Sequence, residues 1–186
     1  MLRHCSHLVD MHCWNHFTAA EALCESEREE SRAMGEVTTT RFISYRNRGI
    51  PQSGKMMISQ MMLKRGAAVH VMELSGQFQI LERQVKTGLS SMVNIAKMLG
   101  MRNGEPELIK GKRAVRTSEN THHVKAPCKG LFVPALIENK DEFIAPEDYI
   151  EKGQQIGHII REDDLAVIPL VSPVSGYIRR LGACHW

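Results

Sequence analysis

The run Ala67-Ala68-Val69-His70-Val71-Met72-Glu73-Leu74 constrains this chain more than any other segment. It is almost continuously apolar and is bounded by Gly66 on one side and Ser75-Gly76 on the other, the pattern of a strand buried on both faces. Leu81 to Leu99 follows at helical spacing, with Leu81, Val85, Leu89, Met92, Val93, Ala96 and Leu99 recurring and Gly100 placed at the C-cap. Earlier segments continue the alternation. Ser6 to Met11 reads as a short buried strand, Thr18 to Met34 as a helix ended by Gly35, and Thr38 to Tyr45 as a β-branched and aromatic strand. Arg46 to Gly54 is loop by its turn residues, and Lys55 to Arg65 is a helix whose four methionines are expected to pack against a sheet. Strands alternating with helices predict a layered α/β domain.

Composition changes after Gly100. Asn103 to His123 is polar and contains the basic run Lys110-Gly111-Lys112-Arg113, which reads as a solvated linker. From Val124 onward strand-like runs are punctuated by Gly and Pro, and no helix is evident. There is also an internal echo: Ala126-Pro127-Cys128-Lys129-Gly130-Leu131-Phe132 matches Ser172-Pro173-Val174-Ser175-Gly176-Tyr177-Ile178 as small-Pro-x-x-Gly-apolar-apolar. Between the two lies Lys152-Gly153-Gln154-Gln155-Ile156-Gly157. This arrangement resembles the quasi-symmetric barrel-sandwich fold of biotinyl and lipoyl domains. A carrier of that kind needs a lysine at its second hairpin, and Arg161 to Pro169 has none, so the β domain is expected to be accessory. The chain is thus expected to divide into an α/β unit at 1–103, a linker at 104–119 and a β domain at 120–186.

Bulk properties exclude several functions. A net charge of +3 with only 5% aromatic residues gives little basis for nucleic-acid binding. No apolar run approaches the roughly 20 residues of a membrane span, and Met1 to His7 has no apolar signal core. Five scattered cysteines without a C-x-x-C pair indicate neither a disulfide framework nor a cysteine zinc knuckle, so a cytoplasmic location is expected.

Two polar residues interrupt or end the buried strands: His12 in Val9-Asp10-Met11-His12, and Glu73 in the central run. Ionisable groups are seldom buried without a partner, so both are candidates for a site. Together they suggest half of a zinc-hydrolase centre, one ligand and one general base. Asp10 and His12 alternate on one strand and so face the same way, which places Asp10, or else a carbonyl, to orient the imidazole. His70 and Glu73 form a His-x-x-Glu within a strand, where residues three apart face opposite sides; His70 is therefore expected to be structural. His4, Cys5, His7, Cys13 and His16 offer further donor atoms, but without recognisable metal-site spacing.

The strand ending in Asp-Met-His, the strand ending in Glu73-Leu74-Ser75-Gly76, the helix closing in Asn94-Ile95-Ala96-Lys97-Met98-Leu99-Gly100 and the trailing β domain together resemble the succinylglutamate desuccinylase/aspartoacylase family. The resemblance runs from about Leu8 to Trp186. It implies a partial zinc-carboxypeptidase-like α/β/α domain followed by a small barrel-sandwich β domain. By the same resemblance His12 is a ligand of Zn2+, Glu73 is the general base, and the substrate is an N-acyl amino acid or related amide. Arg46 and Arg48, in the loop ahead of the Glu73 strand, are expected to reach a substrate carboxylate. The family's first two ligands come from a His-x-x-Glu loop upstream of the Asp-x-His strand, and the family adds barrel strands after the second Pro-x-x-Gly. The chain is therefore expected to be truncated at both ends, to bind zinc poorly and to lack turnover alone. A non-catalytic binding module or inactive fragment is the alternative, and homo-oligomerisation is left open.

Overall fold

The computed structural model describes residues 4–13, 18–24, 28–45, 57–76, 80–111, 113–138 and 140–182. The chain separates into two compact units, one formed by residues 1–16 and 20–117, the other by 17–19 and 118–186.

The first unit is a five-stranded mixed sheet with three helices. In chain order its elements are β1 (His7–Cys13), β2 (Glu21–Cys24), α1 (Glu29–Glu36), β3 (Phe42–Tyr45), α2 (Ile58–Lys64), β4 (Ala68–Leu74), α3 (Glu82–Met98) and β5 (Ala114–Val115). The strand order is β1-β4-β2-β3-β5; β2 runs antiparallel to β4, and the other pairs are parallel. Residues alternate between faces along each strand. One face carries Leu8, Leu23, Val69 and Val71, which cluster with Met62 and Leu63 of α2. The other carries Val9 and Ala68, which cluster with Met34 of α1 and Ile95 of α3.

Two expectations fail here. Glu21–Cys24 lies within the expected helix of Thr18 to Met34, yet it is a fully buried strand. Alanine, leucine and glutamate favour a helix by only tenths of a kcal/mol per residue, about 0.7 at most among ordinary residues. Ladders on both sides and complete burial outweigh that preference, and the helix begins only at Glu29. Gly35 does not end α1 but lies buried within it, and a Cβ there would collide with Cys24 Sγ. Its bare backbone lets the helix close onto β2.

The second correction concerns α3. The helix forms as its periodicity predicts, but the first half of its apolar stripe turns to solvent, with Val85 51% exposed and Leu89 64%, while Leu99 packs on the Met34–Ala68–Ile95 cluster. The buried positions are Gln84, Gly88, Ser91, Asn94 and Ile95. This face is chosen by close approach and hydrogen bonding. A Cβ on Gly88 would lie 3.2 Å from Leu74 Cδ1. Ser91 Oγ accepts from the Thr39 amide at 2.9 Å, and Asn94 bonds Val37 O, Glu107 O and the Glu107 amide, each at 2.9 Å. Of the methionines expected to pack from α2, Met62 is buried, whereas Met61 stands largely exposed. Strand β5 lies inside the expected linker and adds an edge to the sheet through β3.

The second unit is all β among its described residues. A three-stranded antiparallel sheet pairs β6 (Gly130–Pro134), β8 (Gln155–Arg161) and β9 (Val167–Val171) in that order. A two-stranded sheet pairs β7 (Tyr149–Ile150) with β10 (Gly176–Tyr177). Ile144, Ile150, Ile159 and Leu181 are among its buried side chains. The Pro-x-x-Gly echo is visible as geometry: Gly130 opens β6 and Gly176 opens β10. Gly153, at φ +85°, turns the chain between β7 and β8, where its amide donates to Ser172 O at 2.8 Å and the Lys152 amide donates to Ser175 Oγ at 2.9 Å. Among the described residues no helix is long and apolar enough to cross a membrane.

Candidate functional site

The pairing of three strands brings ionisable side chains onto one row. Parallel pairing of β1 and β4 aligns His12 with Glu73, and antiparallel pairing of β4 and β2 aligns Glu73 with Glu21. Directly paired residues project from the same face with Cβ atoms about 4.5–5.5 Å apart. His12, Glu73 and Glu21 therefore share the face that carries Val69 and Val71, one step beyond that apolar cluster.

Each member has its own surroundings. Glu73 is 8% exposed. His12 Nε2 lies 3.1 Å from Asp10 Oδ2, within ion-pair range, yet the two do not form a hydrogen bond and both atoms are buried. Glu21 is wholly buried. Its Oε1 accepts from Arg116 Nε at 2.6 Å and from the Ser44 hydroxyl. Arg116 reaches it because Phe42 pairs with Ala114, which brings the strand end onto this face, and the Arg116 amide donates to Ile43 O at 2.8 Å.

Glu21 and Arg116 were not foreseen from the sequence. Glu21 interrupts the apolar run Ala19-Ala20-Glu21-Ala22-Leu23-Cys24, the same signal that singled out Glu73, but assignment of that segment to a helix hid it. Arg116 fell in the stretch read as linker, and its partner lies 95 residues earlier.

His70 faces the opposite side of the sheet from Glu73, three residues away on β4. It is fully buried against α1, 3.6 Å from the site of a Gly35 Cβ, and neither ring nitrogen is hydrogen-bonded. Burial, with a smaller contribution from the Arg113 charge, lowers its pKa to about 3, so the ring is neutral. Arg46, Arg48 and His16 lie outside the described residues. His4, Cys5 and Cys13 are exposed, and His7 Nδ1 lies 2.8 Å from Ser6 Oγ.

Among the described residues no three His, Cys, Asp or Glu side chains come together to hold a metal ion. A catalytic zinc takes three protein ligands and leaves one position open. Asp10 Oδ2 lies on Nε2, so Nδ1 is the ring nitrogen left for a metal, and the described donor set does not close a zinc site.

No protein-family model matches the sequence, and neither does any curated protein. Solved structures do match. Over 92% of this chain, a succinylglutamate desuccinylase/aspartoacylase from Rhodobacter sphaeroides superposes with TM-score 0.62 at 19% identity. The ectoine utilization protein EutE (DoeB) from Ruegeria pomeroyi superposes over 92% with TM-score 0.66 at 15% identity. An aspartoacylase family protein from Mesorhizobium loti superposes over 94% with TM-score 0.59 at 14% identity. The chain spans about half the length of each, 52%, 53% and 51% respectively. It shares the α/β fold of these proteins over nearly all of its own length.

Proposed function

We propose that this chain carries one side of a deacylase centre that hydrolyses the amide bond of an N-acyl amino acid or related compound. The observation supporting it is the register of β1 and β4, which sets His12 and Glu73 side by side on one face. The shared fold with succinylglutamate desuccinylase/aspartoacylase structures supports the same reading.

In this reading Glu73 accepts a proton from water as the water oxygen bonds to the amide carbonyl carbon, and returns it to nitrogen as the C–N bond breaks. General-base help of this kind contributes about 10²–10⁴-fold to the rate. His12 is the one residue proposed as a ligand for zinc, with Asp10 as the carboxylate beside its ring. Any further ligands come from outside the described residues, and Arg46 and Arg48 remain proposed carboxylate contacts. The all-β unit is read as barrel-sandwich-like, on the support of its paired Pro-x-x-Gly strand starts.

The experiment measures acetate and succinate release from N-acyl amino acids with zinc present, for the wild type and Glu73→Gln, together with zinc uptake by His12→Ala. With one described ligand the wild-type rate is expected to be low. That rate is expected to fall about 10²-fold or more in Glu73→Gln, and zinc uptake to fall in His12→Ala. Release that Glu73→Gln leaves untouched, or zinc uptake indifferent to His12, overturns the reading. The lack of a three-donor cluster among the described residues favours, as a second reading, a non-catalytic binding module. Saturable amide binding without turnover in the same samples identifies it.

A further inference from the structure

Strand β1 ends the five-stranded sheet, yet it has the make-up of an interior strand. Leu8 packs on the α2 side and Val9 on the α1 and α3 side, and no proline, glycine or lysine interrupts the run His7–Cys13. Natural sheet edges are commonly blunted by such residues or kept very short. The outer rim of β1 has no partner strand among the described residues. Its hydrogen-bonding phase is set by Ser6, whose carbonyl accepts from the Ala68 amide at 2.9 Å. Alternate residues of a parallel strand bond to the same neighbour. Leu8, Asp10 and His12 therefore bond to β4, and Val9, Met11 and Cys13 turn their N–H and C=O groups to the open side.

An apolar strip runs beside that rim. Met11 is exposed beneath α3, its Sδ 4.0 Å from where a Gly88 Cβ would lie. Val85 and Leu89 flank Gly88 on the side of α3 away from Ser91 and Asn94, whose hydrogen bonds reach Thr39 and Val37, and both are more than half exposed. The strand is also self-complementary: about Met11, Val9 mirrors Cys13 and Asp10 mirrors His12. Antiparallel pairing of two copies centred on Met11 keeps both faces of the sheet continuous and sets each Asp10 opposite His12 of the second copy, a carboxylate facing an imidazole. These fall at the pairs without mutual backbone bonds, where side chains come closest. Centred on Asp10, the pairing would set two carboxylates directly opposite each other, which is unfavourable. Centred on Val9, it would set Asp10 against Leu8.

We propose that β1 is a dimerisation edge, along which a second copy of this chain adds its own β1 antiparallel, with the two α3 helices meeting through Val85 and Leu89. The proposal goes beyond the deacylase reading and does not rest on it. The contact is small, so the dimer is expected to be weak and reversible.

Sedimentation of the full chain, over about three decades of concentration from the low micromolar upward, reads the mass. Amide hydrogen exchange at the two ends of that range reads the edge. A concentration-dependent dimer is expected, in which the Val9, Met11 and Cys13 amides exchange about tenfold more slowly than in the monomer. The amides of Leu8, Asp10 and His12, already bonded to β4, are expected to change little. Leu89→Lys sets like charges against each other across the axis and is expected to weaken the dimer about tenfold or more. Met11→Pro removes an outward N–H without touching the β1–β4 ladder and is expected to abolish the dimer. Should the proline variant fail to fold, Leu89→Lys, at an exposed helix position, and the exchange pattern decide. A chain that stays monomeric throughout overturns the proposal and leaves the edge to a strand of a different protein. So does a dimer that folded Leu89→Lys forms as tightly as the wild type, or one whose Val9, Met11 and Cys13 amides exchange as fast as in the monomer.

Discussion

Replacing Arg113 with methionine is the sharpest test of how the first unit is held together. The guanidinium lies mostly buried and uses all of its donors. Nε donates to Thr40 O at 3.2 Å, and Nη1 donates to Gly35 O at 3.1 Å and Glu36 O at 2.8 Å. Nη2 donates to Thr38 Oγ1 at 2.5 Å and Thr40 Oγ1 at 3.2 Å, while Glu36 Oε2 lies 3.8 Å from Nη1. Two of these acceptors are carbonyls near the C-terminal end of α1, where a cation also meets the negative end of the helix dipole. Burial pulls the Arg113 pKa down, and the neighbouring Glu36 opposes that. Hydrogen bonds to a charged group are worth about 1.5–3 kcal/mol each, but these share one side chain and do not add. Removing the guanidinium leaves buried carbonyl and hydroxyl oxygens short of donors, at about 1–3 kcal/mol for a group left unsatisfied, so Arg113→Met is expected to lose about 3 kcal/mol. This is a large fraction of the 5–15 kcal/mol typical of a domain. Urea unfolding followed by circular dichroism reads the loss, and Arg113→Lys, with a single ammonium in place of the fork, is expected to fall between. A loss below about 1 kcal/mol would refute the reasoning, since it would mean that the five bonds are exchanged for water at no cost.

Three further outcomes are expected. His70 is neutral when folded and binds a proton when unfolded between its ordinary pKa near 6.5 and its folded value of about 3. The unfolded state binds more protons in that window, so stability is fully present above about 6.5 and falls by up to about 1.4 kcal/mol per unit as pH drops toward 3. Thermal melts from pH 7 to 4 are expected to show a shallower decline in His70→Leu; parallel curves would reject this origin. On α3, Leu89→Lys is expected to change stability by less than about 0.5 kcal/mol, whereas Ile95→Ala is expected to cost about 2–5. Equal losses in chemical denaturation would show that Leu89 is buried after all. In the core between α2 and the sheet, Leu23→Ala is also expected to cost about 2–5 kcal/mol, because Leu23 packs with Met62, Val69 and Val71. A negligible change would mean that β2 does not lie in the sheet.

Some elements are legible locally, because their residue pattern and their place in the fold agree. β4 is apolar on both faces because it lies between strands and beneath helices, and α3 forms where its period indicates. The opposite facing of His70 and Glu73 followed from the two-residue strand repeat alone. Tertiary structure decided the rest, wherever a small local preference met a larger nonlocal term. Glu21–Cys24 has a helix former's composition, but a strand there completes ladders with two neighbours and buries every residue. The face of α3 was set by Gly88, Ser91 and Asn94, whose small size and hydrogen bonds allow a close approach that hydrophobic periodicity does not register. The row His12–Glu73–Glu21 and its guanidinium exist only through strand register, which joins residues far apart in the chain by backbone hydrogen bonds rather than by any local pattern.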